Sequence, residues 1–109
     1  MQDQNQYKLT IVGPGSMGCL LSAVLKRQDY PVSLLDYRPD RSGRLKKTGI
    51  QVVSSKESWT VFPTITAIPE SFGPQDWVIL LVKAYQTDDA VKRIGPLIGP
   101  ETLVITLQN

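Results

Sequence analysis

Gly13, Gly15 and Gly18, in the run Thr10-Ile-Val-Gly-Pro-Gly-Ser-Met-Gly18, have the G-x-G-x-x-G spacing that lets a backbone come close to a pyrophosphate. Each glycine has its own mechanical task in such a loop. Gly13 makes the tight turn, Gly15 admits the phosphates, and Gly18 packs the following helix against the strands. A helix beginning near Ser16 would add its free N–H groups and the positive end of its dipole. The segment Gly13, Pro14, Gly15, Ser16, Met17 and Gly18 is therefore the first candidate binding element. A glycine turn that only packs a strand on a helix has the same spacing, so the flanking elements must decide.

Two further groups bear on the same chemistry. Asp36 lies eighteen residues beyond Gly18, where an acid commonly bonds the adenine ribose hydroxyls and favours NAD. Arg38 and Arg41, with Arg44, Lys46 and Lys47 behind them, could instead receive a 2′-phosphate and favour NADP. The residues leave both choices open, along with a plain cap for Asp36 and a solvated helix face for the basic cluster. Lys83 and Asn109 each follow an apolar strand, at the carboxyl edge where open α/β sheets bind ligands; spacing alone says no more of them.

Other chemistries fall away. With no histidine and one cysteine, Cys19, the 109-residue chain offers no ordinary zinc site, no His-based triad and no internal disulfide. Cys19, near the start of a helix, reads as a buried structural thiol. Twelve Lys and Arg against ten Asp and Glu give a net charge of +2, and no aromatics are interleaved with the basic run, so nucleic acid is not an expected partner. The start, MQDQNQYK, lacks the apolar core of a signal peptide, and the longest apolar run, Trp77 to Val82, is too short to span a bilayer. No membrane partner and a cytoplasmic location are the expectations. Whether copies associate as a homo-oligomer is left open.

The elements that must position these groups follow from periodicity. Residues 7–12 read as a strand ending at Gly13, and Met17, Leu20, Leu21, Val24 and Leu25 recur at helical spacing as a core stripe. Residues 31–37 read as a second strand, apolar in the middle like a parallel strand buried on both faces. This completes a βαβ unit of about thirty residues around the glycines. Residues 38–48 predict a short irregular helix closed by Gly49, followed by a small strand, IQVVS. Residues 58–68 alternate but contain Pro63, which predicts an edge or antiparallel excursion. Residues 76–85 predict the central strand, with Trp77 in the core. A helix from Thr87 turns Ala90, Val91 and Ile94 inward and breaks at Gly95-Pro96, and residues 101–109 predict a last strand. The fold class expected is α/β, a Rossmann-type doubly wound, mostly parallel sheet, forming one domain over 1–109.

The segments IVGPGSMG, WVILLVKAYQTDDAV and GPETLVITLQN, in this order, resemble the amino-terminal domain of ketopantoate reductases (2-dehydropantoate 2-reductases). The discriminating parts are residues 82–87, VKAYQT, and 107–109, LQN, since the glycine loop is shared by many dehydrogenases. The resemblance implies NADPH-dependent reduction of ketopantoate to pantoate, on the route to pantothenate and coenzyme A. It implies contacts from Lys83 and Asn109 to the nicotinamide side, with Asn109 bordering a 2-oxo acid substrate, and an arginine after the second strand, Arg38 or a neighbour, on the 2′-phosphate. Asp36 and Tyr37 stand where relatives often carry a neutral residue and an arginine, which leaves NADP(H) against NAD(H) undecided. The family's general-acid lysine lies in a helical carboxyl-terminal domain that this length does not accommodate, so no catalytic residue is assigned and the domain itself is expected to be cut short. The rival expectations are a stand-alone NAD(P)-sensing regulatory domain and a domain of another 2-hydroxyacid dehydrogenase.

Overall fold

The computed structural model describes residues 7–13, 15–83, 85 and 87–107. Five parallel strands form the main sheet in the order β5-β2-β1-β6-β7, with β1 Leu9–Val12, β2 Val32–Leu35, β5 Thr64–Thr66, β6 Gln75–Leu80 and β7 Ile98–Thr106. The helices are α1 Ser16–Arg27, α2 Pro39–Thr48 and α3 Thr87–Arg93. A separate antiparallel hairpin joins β3 Ile50–Val53 to β4 Ser58–Val61. The architecture is the expected doubly wound α/β sheet.

Alternation along the strands divides the core between the two faces of the sheet. Ile11, Leu34 and Ile65 face α1 and join Ala23, Val32 and Ile50. Val12, Leu35, Val78 and Leu80 face α3 and join Ala90, Ile94 and Leu97. Helices on both sides explain why β1 and β2 carry adjacent apolar residues rather than alternating ones.

Several expectations are corrected. The centre of the described sheet is β1, with β6 beside it, because the chain first winds from β1 to β2 and β5 and only then returns to the other side. Residues 39–48 form a regular helix with Pro39 in its first turn, not an irregular one. The 58–68 excursion divides at Phe62-Pro63: β4 pairs antiparallel with β3, while β5 becomes the parallel edge beside β2. Trp77 is only partly buried, edge-on to Tyr7 with ring centres 6.0 Å apart, and Val91 is exposed. The last strand starts at Ile98, straight after a 3-10 turn over Gly95–Leu97.

The largest correction concerns α1. Met17, at 63% exposure, Leu20 and Val24 face solvent, whereas the fully buried positions are Gly18, Ser22 and Ala23. The phase of the helix is set by its small residues. A Cβ on Gly18 would overlap the carbonyl oxygen of Gly13, so only this face lets the helix sit against the loop it follows. Leu21 and Leu25, on the adjoining flank, pack on the same core as Trp59 and Val61 of the hairpin.

Candidate functional site

The cleft opens where the sheet order reverses, at the carboxyl ends of β1, β2 and β6. This is the place at which open α/β sheets take ligands. Its volume is about 400 Å³, and its walls come from the glycine loop, the end of β2 with α2, the end of β6, and α3.

The loop begins at Gly13, whose φ of +107° belongs to glycine and whose N–H donates to the carbonyl of Leu35 at 3.2 Å. A side chain there would also press on the Leu81 carbonyl, 3.0 Å from a Cβ position. Gly15 differs. Its φ of −65° and ψ of −174° suit any residue, and a Cβ would meet nothing within 4 Å. Neither backbone strain nor packing among the described residues requires glycine at 15; the space before it opens into the cleft. Gly15 is also the N-cap of α1, without a side-chain cap and with no acid in the first turn, so the first N–H groups and the dipole's positive end remain available to an anion. Ser16 and Met17 are exposed on that first turn. These features fit the pyrophosphate of a dinucleotide.

At the end of β2, Asp36 and the two arginines form one unit. The Asp36 carboxylate has no exposed surface, and it accepts Arg41 Nε at 2.6 Å, Arg41 Nη2 at 2.9 Å and the Arg38 N–H at 3.1 Å. Its own N–H donates to the Thr66 carbonyl at 2.9 Å. This forked pair leaves Arg41 three of its five N–H bonds, and its side chain remains 36% exposed at the cleft. The Asp36 hydrogen bond pushes the Arg41 guanidinium further into its charged range. Arg38 is exposed, 3.3 Å from Asp40. The acid thus restrains α2 and orients Arg41. Arg44, Lys46 and Lys47 lie outside the cleft on the exposed side of α2, the lysines in its last turn where the helix dipole favours them.

Lys83, just beyond β6, lines the cleft with Leu81, Val82 and Tyr85. Cys19, partly buried, lies within the electrostatic reach of Asp36 and Arg41. Burial above all, and then the Asp36 charge, push its thiol upward against the opposing effect of Arg41. Pro14 and Asn109 lie outside the described residues. The structure therefore brings together Gly13, Gly15, Asp36, Arg38, Arg41 and Lys83, and adds Tyr37, Asp89, Ala90 and Arg93, which sequence reading did not assign to the site. Tyr37, just past β2, and Asp89, in the first turn of the helix after β6, stand where strands and helices meet at the ligand edge; Arg93, in the last turn of that helix, carries no such local signal. Among the described residues, no group of three or more acids, histidines or thiols could hold a metal, and no helix is long and apolar enough to cross a membrane.

The family model described as Ketopantoate reductase PanE/ApbA matches residues 9–109. The chain belongs to this family. Among its relatives, the 2-dehydropantoate 2-reductase of Halobacterium salinarum is 30% identical over 103 residues, covering 94% of this chain and 34% of the relative. That of Caulobacter vibrioides is 29% identical over 102 residues, with 93% and 33% covered. The crystal structure of a PanE/ApbA family ketopantoate reductase from Ralstonia eutropha JMP134 superposes with a TM-score of 0.83 at 27% identity, over 94% of this chain and 34% of that one. A ternary structure of D-mandelate dehydrogenase with NADH and anilino(oxo)acetate gives 0.84 at 27% identity, with 94% and 33% covered. The chain thus spans about a third of the length of the family members it matches.

Proposed function

We propose that residues 1–109 are the dinucleotide-binding domain of a ketopantoate reductase-like oxidoreductase, and that the cleft holds NADP(H). The carrying observation is the cleft's division of labour. Gly15 opens an empty approach to an uncapped helix start, while Asp36, where an acid would otherwise meet the ribose, is enclosed beneath Arg41. An acid so placed does not repel a 2′-phosphate; it holds the cation that receives one. Gly13, Pro14, Gly15, Ser16, Met17 and Gly18 would hold the pyrophosphate, Arg38 and Arg41 the 2′-phosphate, and Lys83 and Asn109 the nicotinamide end. The bound cofactor would supply the hydride for a 2-oxo acid, ketopantoate being the substrate that family membership favours. Asn109 would border that substrate, and proton donation is assigned to no residue of this chain. The reducing cytoplasm suits a chain with one thiol.

Because the D-mandelate dehydrogenase structure contains NADH, NADH is the comparison that matters. The test is calorimetric titration with NADPH and then NADH at one ionic strength, since phosphate contacts are screened by salt. Tighter NADPH binding is expected, weakened about tenfold or more in Arg38→Ala and in Arg41→Ala, the loss of a charge-assisted contact. Tighter NADH binding would remove the phosphate-reading role of the arginines, and binding of neither would overturn the domain assignment.

A further inference from the structure

One wall of the cleft is not explained by phosphate recognition. Arg93, in the last turn of α3, lays its guanidinium carbon 4.9 Å from the centre of the Tyr37 ring. One turn earlier on the same helix, Asp89 accepts Arg93 Nε at 3.2 Å. Tyr37 is itself tied to α3, its hydroxyl donating to the Ala90 carbonyl at 3.4 Å. The ring and the carboxylate thus hold the guanidinium from two directions, yet half of the Arg93 side chain stays exposed. All of these residues line the cleft together with Arg38 and Arg41. A planar cation held over one ring and half exposed at the cleft keeps surface on which a second π system can stack, as guanidinium groups do on nucleobases.

We propose that Arg93, seated on Tyr37 and oriented by Asp89, is the platform on which the adenine ring of the dinucleotide stacks. Arg93 is then an affinity-determining contact to the base, common to both cofactors, while Arg38 and Arg41 read the phosphate. The inference rests on the dinucleotide reading above but is separable from it.

The experiment titrates NADPH and NADH into the chain and into Arg93→Ala, Arg93→Lys and Tyr37→Leu, with circular dichroism on each variant. Stacking is common to both cofactors, so Arg93→Ala weakens each by about tenfold and leaves the NADPH-to-NADH affinity ratio unchanged. Arg93→Lys, which keeps the charge but not the plane, shows the same loss. Tyr37→Leu, which removes the seat and keeps the arginine, loses affinity in the same direction and serves if the Arg93 variants fail to fold. Unchanged affinities in Arg93→Ala overturn the platform while leaving the dinucleotide reading intact. So does a loss confined to NADPH, or full rescue by lysine, because either makes Arg93 a charge reader. Absence of binding to the unmodified chain overturns both.

Discussion

Replacing Gly15 with alanine separates a ligand site from a merely structural turn. At φ −65° and ψ −174° alanine meets no backbone strain, and its Cβ finds no neighbour within 4 Å. Two small effects then oppose each other. Alanine restricts the unfolded chain, which stabilises by about 0.4–1 kcal/mol. At an N-cap, however, glycine outranks alanine by about 0.5–1 kcal/mol. The net change stays within about 1 kcal/mol. With about 2.1 cal/mol/K of unfolding entropy per residue over 109 residues, that is less than about 5 °C in Tm. Gly18→Ala is the contrasting control. Its Cβ would overlap the Gly13 carbonyl, and overpacking of this kind costs about 1–3 kcal/mol, or about 4–13 °C on the same conversion. Thermal melts and NADPH titrations of both variants form the assay. Gly15→Ala should melt with the parent yet bind NADPH at least about tenfold more weakly, since its methyl takes the space by which phosphate reaches the helix start. A Gly15→Ala protein that binds as tightly as the parent would refute the argument that the space before Gly15 belongs to a ligand.

Two predictions concern titration. Burial pushes the Tyr37 hydroxyl up to about 12 from 10.0, so the fold keeps its full stability below pH 10 and loses part of it as pH rises towards 12. Absorbance titration of the tyrosines should include a late step that Tyr37→Phe removes; a titration curve unchanged by this substitution would contradict the enclosure of the Tyr37 phenol. Burial also pushes Cys19 above its ordinary value of 9.0, so at pH 8 the thiol should alkylate more slowly than glutathione, and faster reaction would contradict the enclosure described.

The βαβ unit was legible because its signals are local. Strand, glycine turn and helix follow one another within thirty residues, and the spacing from Gly18 to Asp36 places the acid at the end of β2. The face that α1 buries was not legible. Hydrophobic periodicity weighs Met17, Leu20 and Val24 most heavily, whereas the close approach to Gly13 selects Gly18, Ser22 and Ala23, which carry almost no hydrophobic signal. The conflict between Asp36 and the basic run was unreadable for another reason. Both cues were present, but whether Arg41 folds back on the acid depends on the pitch of α2 beneath it. Arg93 lies 56 positions from Tyr37, and nothing short of the topology brings α3 to the end of β2.

The enclosed acid also changes how cofactor preference could be redesigned. Where an acid stands open at this position, deleting it and adding positive charge would be the direct way to admit a 2′-phosphate. Here that first step works backwards. Removing the Asp36 side chain would release Arg41 from its fork and take away the acceptor of the Arg38 N–H, scattering the groups proposed to grip the phosphate. A conversion towards NADH would start from the opposite end of the pair, by exchanging Arg41 for a short polar residue so that the carboxylate is uncovered for the ribose. Designers would need to treat the two positions as a single exchangeable cassette.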